Sequence, residues 1–247
     1  MPRLSVWPMN RDRAILLAGA TAITGFAWLY MFRMAAGIHS HATMDGGALF
    51  VMWAVMMLAM MLPSTLPFVF VFQAEHVRRH AQQAPMTPTL FFMGGYFAVW
   101  IVFSAACAAL QQLLHSQALL SPMMSAASPM FAGAVLLAAG VYQWTPMKNA
   151  CLRHCRSPLT FLLSDWKEGA AGAFRMGVDH GLFCVGCCWM LMLLPFAAGV
   201  MNLLWMAGIT VLLLLEKAAP GGEWTAWVCG ALLALAGAYV MYFGVAL

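Results

Sequence analysis

Charged residues are scarce in this sequence. Asp, Glu, Lys and Arg make up 8% of the 247 residues, whereas 64% are hydrophobic. A soluble domain carries about 25% charged residues, so this chain could not cover a water-facing surface. The formal charge of +4 is too small to indicate nucleic-acid binding. The composition therefore predicts an all-α, polytopic membrane helix bundle embedded in a lipid bilayer.

Several functional motifs are also missing. The sequence has no G-x-S-x-G element and no glycine-rich loop that could cradle phosphate, which argues against serine hydrolysis and nucleotide chemistry. No long polar segment interrupts the apolar runs, so there is no soluble nucleotide domain to drive an ATP-dependent pump. We interpret residues 1–247 as a single transmembrane domain and favour a function other than catalysis.

Seven apolar segments are long enough to be read as spanning helices, which need about 20 mainly apolar residues. Turn signals such as "MDGG", "APMTP" and "APGG" separate them. The fifth and sixth segments are divided only by residues 195–199, which predicts a tight helical hairpin. The seven predicted spans are 14–34, 48–72, 89–114, 129–147, 171–194, 197–215 and 224–245.

The basic residues predict the orientation of the chain, because cytoplasmic loops carry an excess of Lys and Arg. With a cytoplasmic N-terminus and an outer C-terminus, the outer segments contain only Arg33, and Arg175 lies at the inner end of span five. This asymmetry predicts a multi-pass protein of the bacterial inner membrane. The inner segments would contain Arg3, Arg11, Arg13, Arg78, Arg79, Lys148, Arg153, Arg156, Lys167 and Lys217.

The stretch "DHGLFCVGCCWM" places an aspartate, a histidine and three cysteines within span five. Residues spaced by four share one face of a helix, and Cys187 lies on the same side as Cys184. Cys187 and Cys188 point about 100° apart, so we expect at most one of them to aim at a shared ligand. The predicted stripe consists of Met176, His180, Cys184, Cys188 and Met192.

These side chains favour a soft transition metal. Thiolate and thioether groups select Cu(I), and imidazole suits copper and zinc. One Cu(I) with one thiolate and a neutral imidazole sums to zero charge, which suits a site inside a bilayer. Zinc is the alternative; haem is disfavoured because only His180 lies clearly inside the bilayer. The candidate ligands are His180, Cys184 and Cys187 or Cys188, with Asp179 and Met176 beside them.

A second set of candidate ligands follows span four in "KNACLRHCRSP". Cys151 and Cys155 are spaced by four, so continued helix would place both thiols on one face, with His154 adjacent. Neighbouring basic residues favour thiolate, and the reducing cytoplasm makes a lasting disulfide unfavourable. The pattern therefore predicts an inner metal or thiol-exchange site.

Two further groups could guide a metal from outside. Short His-rich tracts capture metals, and the outer loop "IHSHATMD" offers His39, His41, Met44 and Asp45. In span two, a methionine ladder could pass Cu(I) along by thioether exchange, although methionine is also a generic core residue. The ladder consists of Met52, Met56 and Met60.

Polar residues elsewhere in the spans have simpler interpretations. Tyr142 and Asn202 are expected to form hydrogen bonds between helices. Glu216 and Lys217, at the inner end of span six, are expected to pair with each other at the membrane interface.

Together these motifs resemble a family of bacterial proteins of unknown function, described as predicted metal-binding integral membrane proteins. The resemblance rests on "MWAVMMLAMMLPS", "AGVYQWTPMKNACLRHCRSP", "GVDHGLFCVGCCWMLM" and "GVMNLLWM" followed by "EK". It covers residues 48–217. It implies a membrane location and a bound metal, but no reaction.

Three functions remain open at this stage. The first is Cu(I) binding for transport or for delivery to a small soluble or periplasmic partner protein. The second is a transmembrane thiol–disulfide electron carrier, in which Cys184 and Cys187 form a C-x2-C pair. The third is a membrane anchor or assembly subunit within a homo- or hetero-oligomer.

Overall fold

The computed structural model of the chain describes residues 11–37, 45–80, 86–121 and 125–245. Apart from an isolated bridge between Leu120 and Ala126, these residues form helices and their connections, which confirms the all-α prediction. The helices are α1 (Arg11–Ala36), α2 (Gly46–His80), α3 (Thr87–Ser116), α4 (Pro129–Tyr142), α5 (Pro146–Arg156), α6 (Pro158–Ser164), α7 (Gly169–Cys188), α8 (Pro195–Ala198), α9 (Leu203–Ala218) and α10 (Gly222–Phe243).

Four of the described helices, α1, α2, α3 and α10, are long and apolar enough to cross a membrane. A fifth crossing would combine α7 with α8, which follow one another with a bend of 69°. The predicted spans 129–147 and 197–215 correspond to shorter helices, because α4 has 14 residues and α9 has 16. Helix length in the described residues therefore supports four or five crossings, and seven stays a prediction.

The predicted fifth span, residues 171–194, is not one straight helix. The last i to i−4 bond of α7 runs from the Trp189 amide to the Val185 carbonyl. A 3₁₀ turn, Leu191–Leu193, follows. Pro195 has no N–H, and in a continuous helix its ring would clash with the carbonyl group four residues earlier. A straight helix therefore cannot continue through residue 195, and the chain bends between Cys188 and Leu191. Met192 lies beyond the end of α7, and the predicted stripe ends at Cys188.

Of the two polar residues expected to join helices, Asn202 also caps a helix and Tyr142 acts as expected. Asn202 caps α9, where its side-chain oxygen accepts a hydrogen bond from the Trp205 amide at 3.3 Å; a cap of this kind satisfies an otherwise unpaired donor at a helix start. Tyr142 does connect two helices, because its hydroxyl donates to the Gly186 carbonyl. This bond ties the end of α4 to the part of α7 that contains the cysteines.

Close contact between α3 and α7 positions the cysteine-bearing helix. A side-chain carbon at Gly177 would overlap the carbonyl oxygen of Phe92, and one at Gly95 would overlap that of Phe174. Small residues allow helix backbones to approach in this way. α5 also packs against α7, and Lys217 of α9 reaches the thiols of α7.

We expect Gly177→Ala to lower the free energy of unfolding by about 1–3 kcal/mol, because the added methyl group forces the two backbones apart. Gly208→Ala in α9 is the matched control, since a side-chain carbon there meets nothing within 4 Å. Chemical unfolding in detergent, followed by tryptophan fluorescence, measures both. Equal stability of the two variants would contradict this account of the α3–α7 contact.

Candidate metal centre

The centre of the bundle contains a group of three thiols. Cys184, Cys187 and Cys188 are all buried, and their sulfur atoms lie within 4.8 Å of one another. We call these three residues the buried trio. The sulfurs of Cys187 and Cys188 both donate to the Cys184 carbonyl oxygen, at 3.1 Å and 2.9 Å.

The sulfurs of Cys187 and Cys188 lie closer together than their separation of about 100° on the helix suggests, and the expectation that at most one of them aims at a shared ligand stays a prediction. Their Cα–Cβ bonds diverge on the helix, but both side chains turn back toward the preceding turn. The common hydrogen-bond acceptor at Cys184 draws the two sulfurs together. Side-chain rotation, which residue spacing does not include, accounts for the difference.

Cys184 has two additional polar neighbours. The Tyr96 hydroxyl from α3 and the Lys217 ammonium from α9 each lie 3.1 Å from the Cys184 sulfur. Lys217 also lies 3.1 Å from the Ser64 hydroxyl of α2. A neighbouring lysine favours the thiolate form of a cysteine, which is the form that binds metals. Cys184 is therefore the cysteine of the trio whose surroundings favour the thiolate form.

Neither Lys217 nor Tyr96 was predicted to take part in the site. Lys217 was expected to pair with Glu216, but Glu216 instead forms a fully buried ion pair with Lys148, with an N–O distance of 2.8 Å. Adjacent residues on a helix point about 100° apart, so the two side chains reach different partners. An ionisable residue within an apolar helix is the signal that could have identified Lys217.

His180 lies one helical turn before Cys184 and is not in the group of three ligand atoms. Its ring stacks on Phe68 with 3.7 Å between ring centroids, and Tyr96 and Phe92 also stack on it. Its Nε2 is 3.5 Å from the Thr65 hydroxyl, whereas Nδ1 is buried with no hydrogen-bond partner. His180 as a direct ligand stays a prediction, and the unpartnered Nδ1 is compatible with it.

Asp179 and Met176 lie in the middle of α7, before the trio, and both contact Lys167. The Asp179 carboxylate is 2.8 Å from the Lys167 ammonium, and the Met176 sulfur accepts a hydrogen bond from the Lys167 amide at 3.3 Å. The Asp179 contact raises the pKa of Lys167. The structure does not bring these two residues together with the buried trio.

The α5 cysteines are packed against α7 rather than forming a separate loop site. Cys155 is buried in the same hydrophobic core as the trio. Its neighbours Cys184 and Cys187, together with burial, raise the pKa of its thiol well above the ordinary value. His154 points elsewhere and stacks on Phe183 with 3.7 Å between ring centroids. Burial lowers the pKa of His154.

The remaining candidate metal ligands lie in the first half of α2 or precede it in the sequence. Met52, Met56 and Met60 are completely buried in the same hydrophobic core as the trio. Asp45 accepts a hydrogen bond from the Ala48 amide at 2.8 Å and so caps the start of α2. The predicted outer-loop ligands His39, His41 and Met44 lie outside the described residues.

The donor set suits a soft metal ion. Thiolate ligands at about 2.3 Å from a three-coordinate ion would be about 4 Å apart, within the observed limit of 4.8 Å. Cu(I) with two thiolates and the Lys217 ammonium sums to zero charge, and Zn²⁺ with three thiolates and Lys217 does so too. Charge therefore accommodates either ion, and thiolate softness suits both.

Comparison with known proteins favours copper. A family model described as "PpoB2: Copper chaperone" matches residues 50–240, which include every helix that contributes to the buried trio and its neighbours. No curated protein and no solved structure matches the chain. The family match and the buried cysteine group together indicate a role in copper handling. The chain belongs to the PpoB2 copper chaperone family.

Proposed function

We propose that the protein is a membrane-embedded copper chaperone that binds Cu(I) at the buried trio and delivers it to a partner protein. The observation that carries the proposal is the group of three buried sulfurs beside an ammonium group. Thiolates select Cu(I), and Lys217 offsets the extra negative charge that two thiolates bring.

The outer surface supports membrane embedding. Large apolar side chains are exposed along the long helices, among them Phe26, Val102, Leu235 and Tyr242. A water-soluble monomer rarely exposes contiguous apolar surface of this kind, and lipid would cover it. The asymmetry of Lys and Arg supports an inner-membrane location with the N-terminus in the cytoplasm.

The other candidate ligands have supporting roles in this proposal. His180 Nδ1, unpartnered one turn from Cys184, is suited to hold the ion on its way to the trio. The buried methionines of α2 extend from the level of the trio toward the other end of the helix. Met52 precedes Ser64, a contact of Lys217, by twelve residues, or about 18 Å of helix. Thioethers could carry Cu(I) along this distance.

The test is metal analysis of the full chain, purified in detergent under anaerobic, reducing conditions and loaded with Cu(I). We expect about one copper ion per chain, and X-ray absorption should show sulfur as the dominant ligand. Zinc loaded in parallel should be displaced by Cu(I). A protein that retains no copper, or that holds it through nitrogen and oxygen alone, would overturn the proposal.

Counting the free thiols in the same samples tests the alternative function, a thiol–disulfide electron carrier. Seven free cysteines lie in the described residues, and none is in a disulfide. For a chaperone, the number of free thiols in the metal-free protein should not change after it meets its partner. A loss of two thiols with no change in copper would favour the thiol–disulfide carrier.

A further inference from the structure

The thiols of α5 lie beside the buried trio and lead away from it. Resting on the copper-binding function proposed above, we propose that Cys151, Cys155 and Cys187 form a second Cu(I) position, which shares Cys187 with the trio. Copper would pass from the trio to this shallower position before it leaves the protein. The α5 thiols are then the donors from which a partner removes the ion.

Cys155 provides the first step. Its side chain is buried beside the trio in the same hydrophobic core, and it interacts with Cys184 and Cys187. It comes from a different helix, and it is not a member of the group whose three sulfurs lie within 4.8 Å of one another. Its side chain would have to turn toward the ion, and its sulfur would then enter in place of one of the three.

Cys151 provides the second step. Its sulfur lies 2.7 Å from the point where a side-chain carbon at Gly186 would stand, so the absence of a side chain there admits the thiol. Cys151 interacts electrostatically with Cys187. The Tyr142 hydroxyl bonds the Gly186 carbonyl and holds this part of α7 in place. Cys151 and Cys155 thus both face Cys187 from one side of α5.

Exposure increases along this series of thiols. Cys187 and Cys188 have no exposed surface and Cys184 has 1%, whereas Cys155 has 9%. Cys151 is only partly buried, and Arg153 on the same helix is exposed. A partner protein that cannot enter the bundle could still reach Cys151. The gradient gives the path its direction, from the trio toward the surface of α5.

The transfer is a ligand exchange without a change of redox state. A bond forms between copper and the Cys155 sulfur, and a bond from copper to Cys184 or Cys188 breaks. The Cys155 proton moves to the departing sulfur, which keeps the charge of the site constant. Cys151 then replaces the second departing sulfur in the same way. Cys187 stays bound throughout, and copper remains Cu(I).

The test compares the wild type with C151A/C155A and with the control C107A/C229A, which also lacks two cysteines. Each full-length protein is loaded with Cu(I) anaerobically, and an excess of a chromophoric Cu(I) chelator then removes the ion. We expect all three to bind the same amount of copper. The rate of removal should fall at least about tenfold in C151A/C155A only. An unchanged rate would overturn the proposal.

A second measurement uses the wild-type thiols directly and does not depend on the folding of the double variant. A membrane-impermeant maleimide should label Cys151 more slowly when Cu(I) is bound, and C187A should abolish this protection. Protection that is absent in the wild type, or that persists in C187A, would contradict the second position.

The outcomes separate the two proposals. If the wild type and C107A/C229A bind no copper, the proposed function itself fails. If they bind copper but the α5 thiols affect neither removal nor labelling, only the second position fails. If C151A/C155A loses copper while C184A/C188A retains it, the α5 thiols are the primary site and both proposals are wrong.

Discussion

Cys184→Ala should lower the affinity of the chain for Cu(I) by more than about 100-fold, beyond the loss of about 10–100-fold that follows removal of a residue that only orients a ligand. Cys184 is one of the three sulfurs of the trio, and the substitution removes this sulfur but keeps the backbone carbonyl that draws the other two together. Its sulfur is also the atom that Tyr96 and Lys217 contact. No other cysteine in the described residues lies at hydrogen-bonding distance from both of these side chains.

Competition with a chromophoric Cu(I) chelator measures this loss. Lys217→Met is the informative comparison, because it keeps all three sulfurs and removes only the neighbouring charge; we expect its affinity to fall about 10–100-fold. Cys107→Ala removes a buried thiol of α3 outside the trio and should bind as the wild type does. If Cys184→Ala stays close to the wild type, the trio is not the binding site.

Lys148→Met should lower the free energy of unfolding by about 3–5 kcal/mol, because it leaves the Glu216 carboxylate buried without its counter-charge. The Lys148 ammonium lies 3.0 Å and 2.8 Å from the two Glu216 oxygens, and both side chains are fully buried. Water cannot replace the lost partner at this depth. Denaturant unfolding in detergent measures the change.

The double variant K148M/E216M distinguishes two causes of lost stability, which are the unpaired Glu216 charge and the changed packing of the side chains. Replacing both members of a buried ion pair with apolar residues is often neutral or stabilising, so the double variant should recover most of the stability lost in K148M. Arg153→Ala breaks an exposed pair with Glu223 and should cost no more than about 1 kcal/mol. Equal destabilisation in K148M and K148M/E216M would show that the ion pair itself matters little.

The pattern of apolar residues predicted the all-helical fold, because hydrophobic runs and their turn signals are local properties of the chain. The same is true of the face of α7 that buries His180, Cys184 and Cys188. The apolar pattern predicted that this helix would continue to residue 194, although Pro195 follows directly, whereas α7 ends at Cys188. A continuous apolar run concealed the bend, since hydropathy alone does not distinguish a straight helix from a broken one.

The contacts around the trio could not be predicted, because they join distant parts of the chain. Lys217 is 33 residues from Cys184 in sequence, and Tyr96 is 88 residues away. Cys155 was interpreted as part of a separate loop site, because its helix was not known to pack on α7. Spacing identified the thiols as candidates, but only the packing of α3, α5 and α9 shows which charges and donors accompany them.

If α4 crosses the membrane, as the sequence predicts, its shortness has a consequence for the surrounding lipid. Its 14 residues give a length of about 21 Å, whereas the hydrocarbon core of a bilayer is about 30 Å thick. A helix shorter than the core is accommodated when the bilayer thins beside it. Tyr142 joins the end of α4 to α7 at Gly186, next to Cys187. Such thinning would bring water and lipid headgroups nearer to the thiols, so the thickness of the host membrane should influence how fast copper leaves the protein.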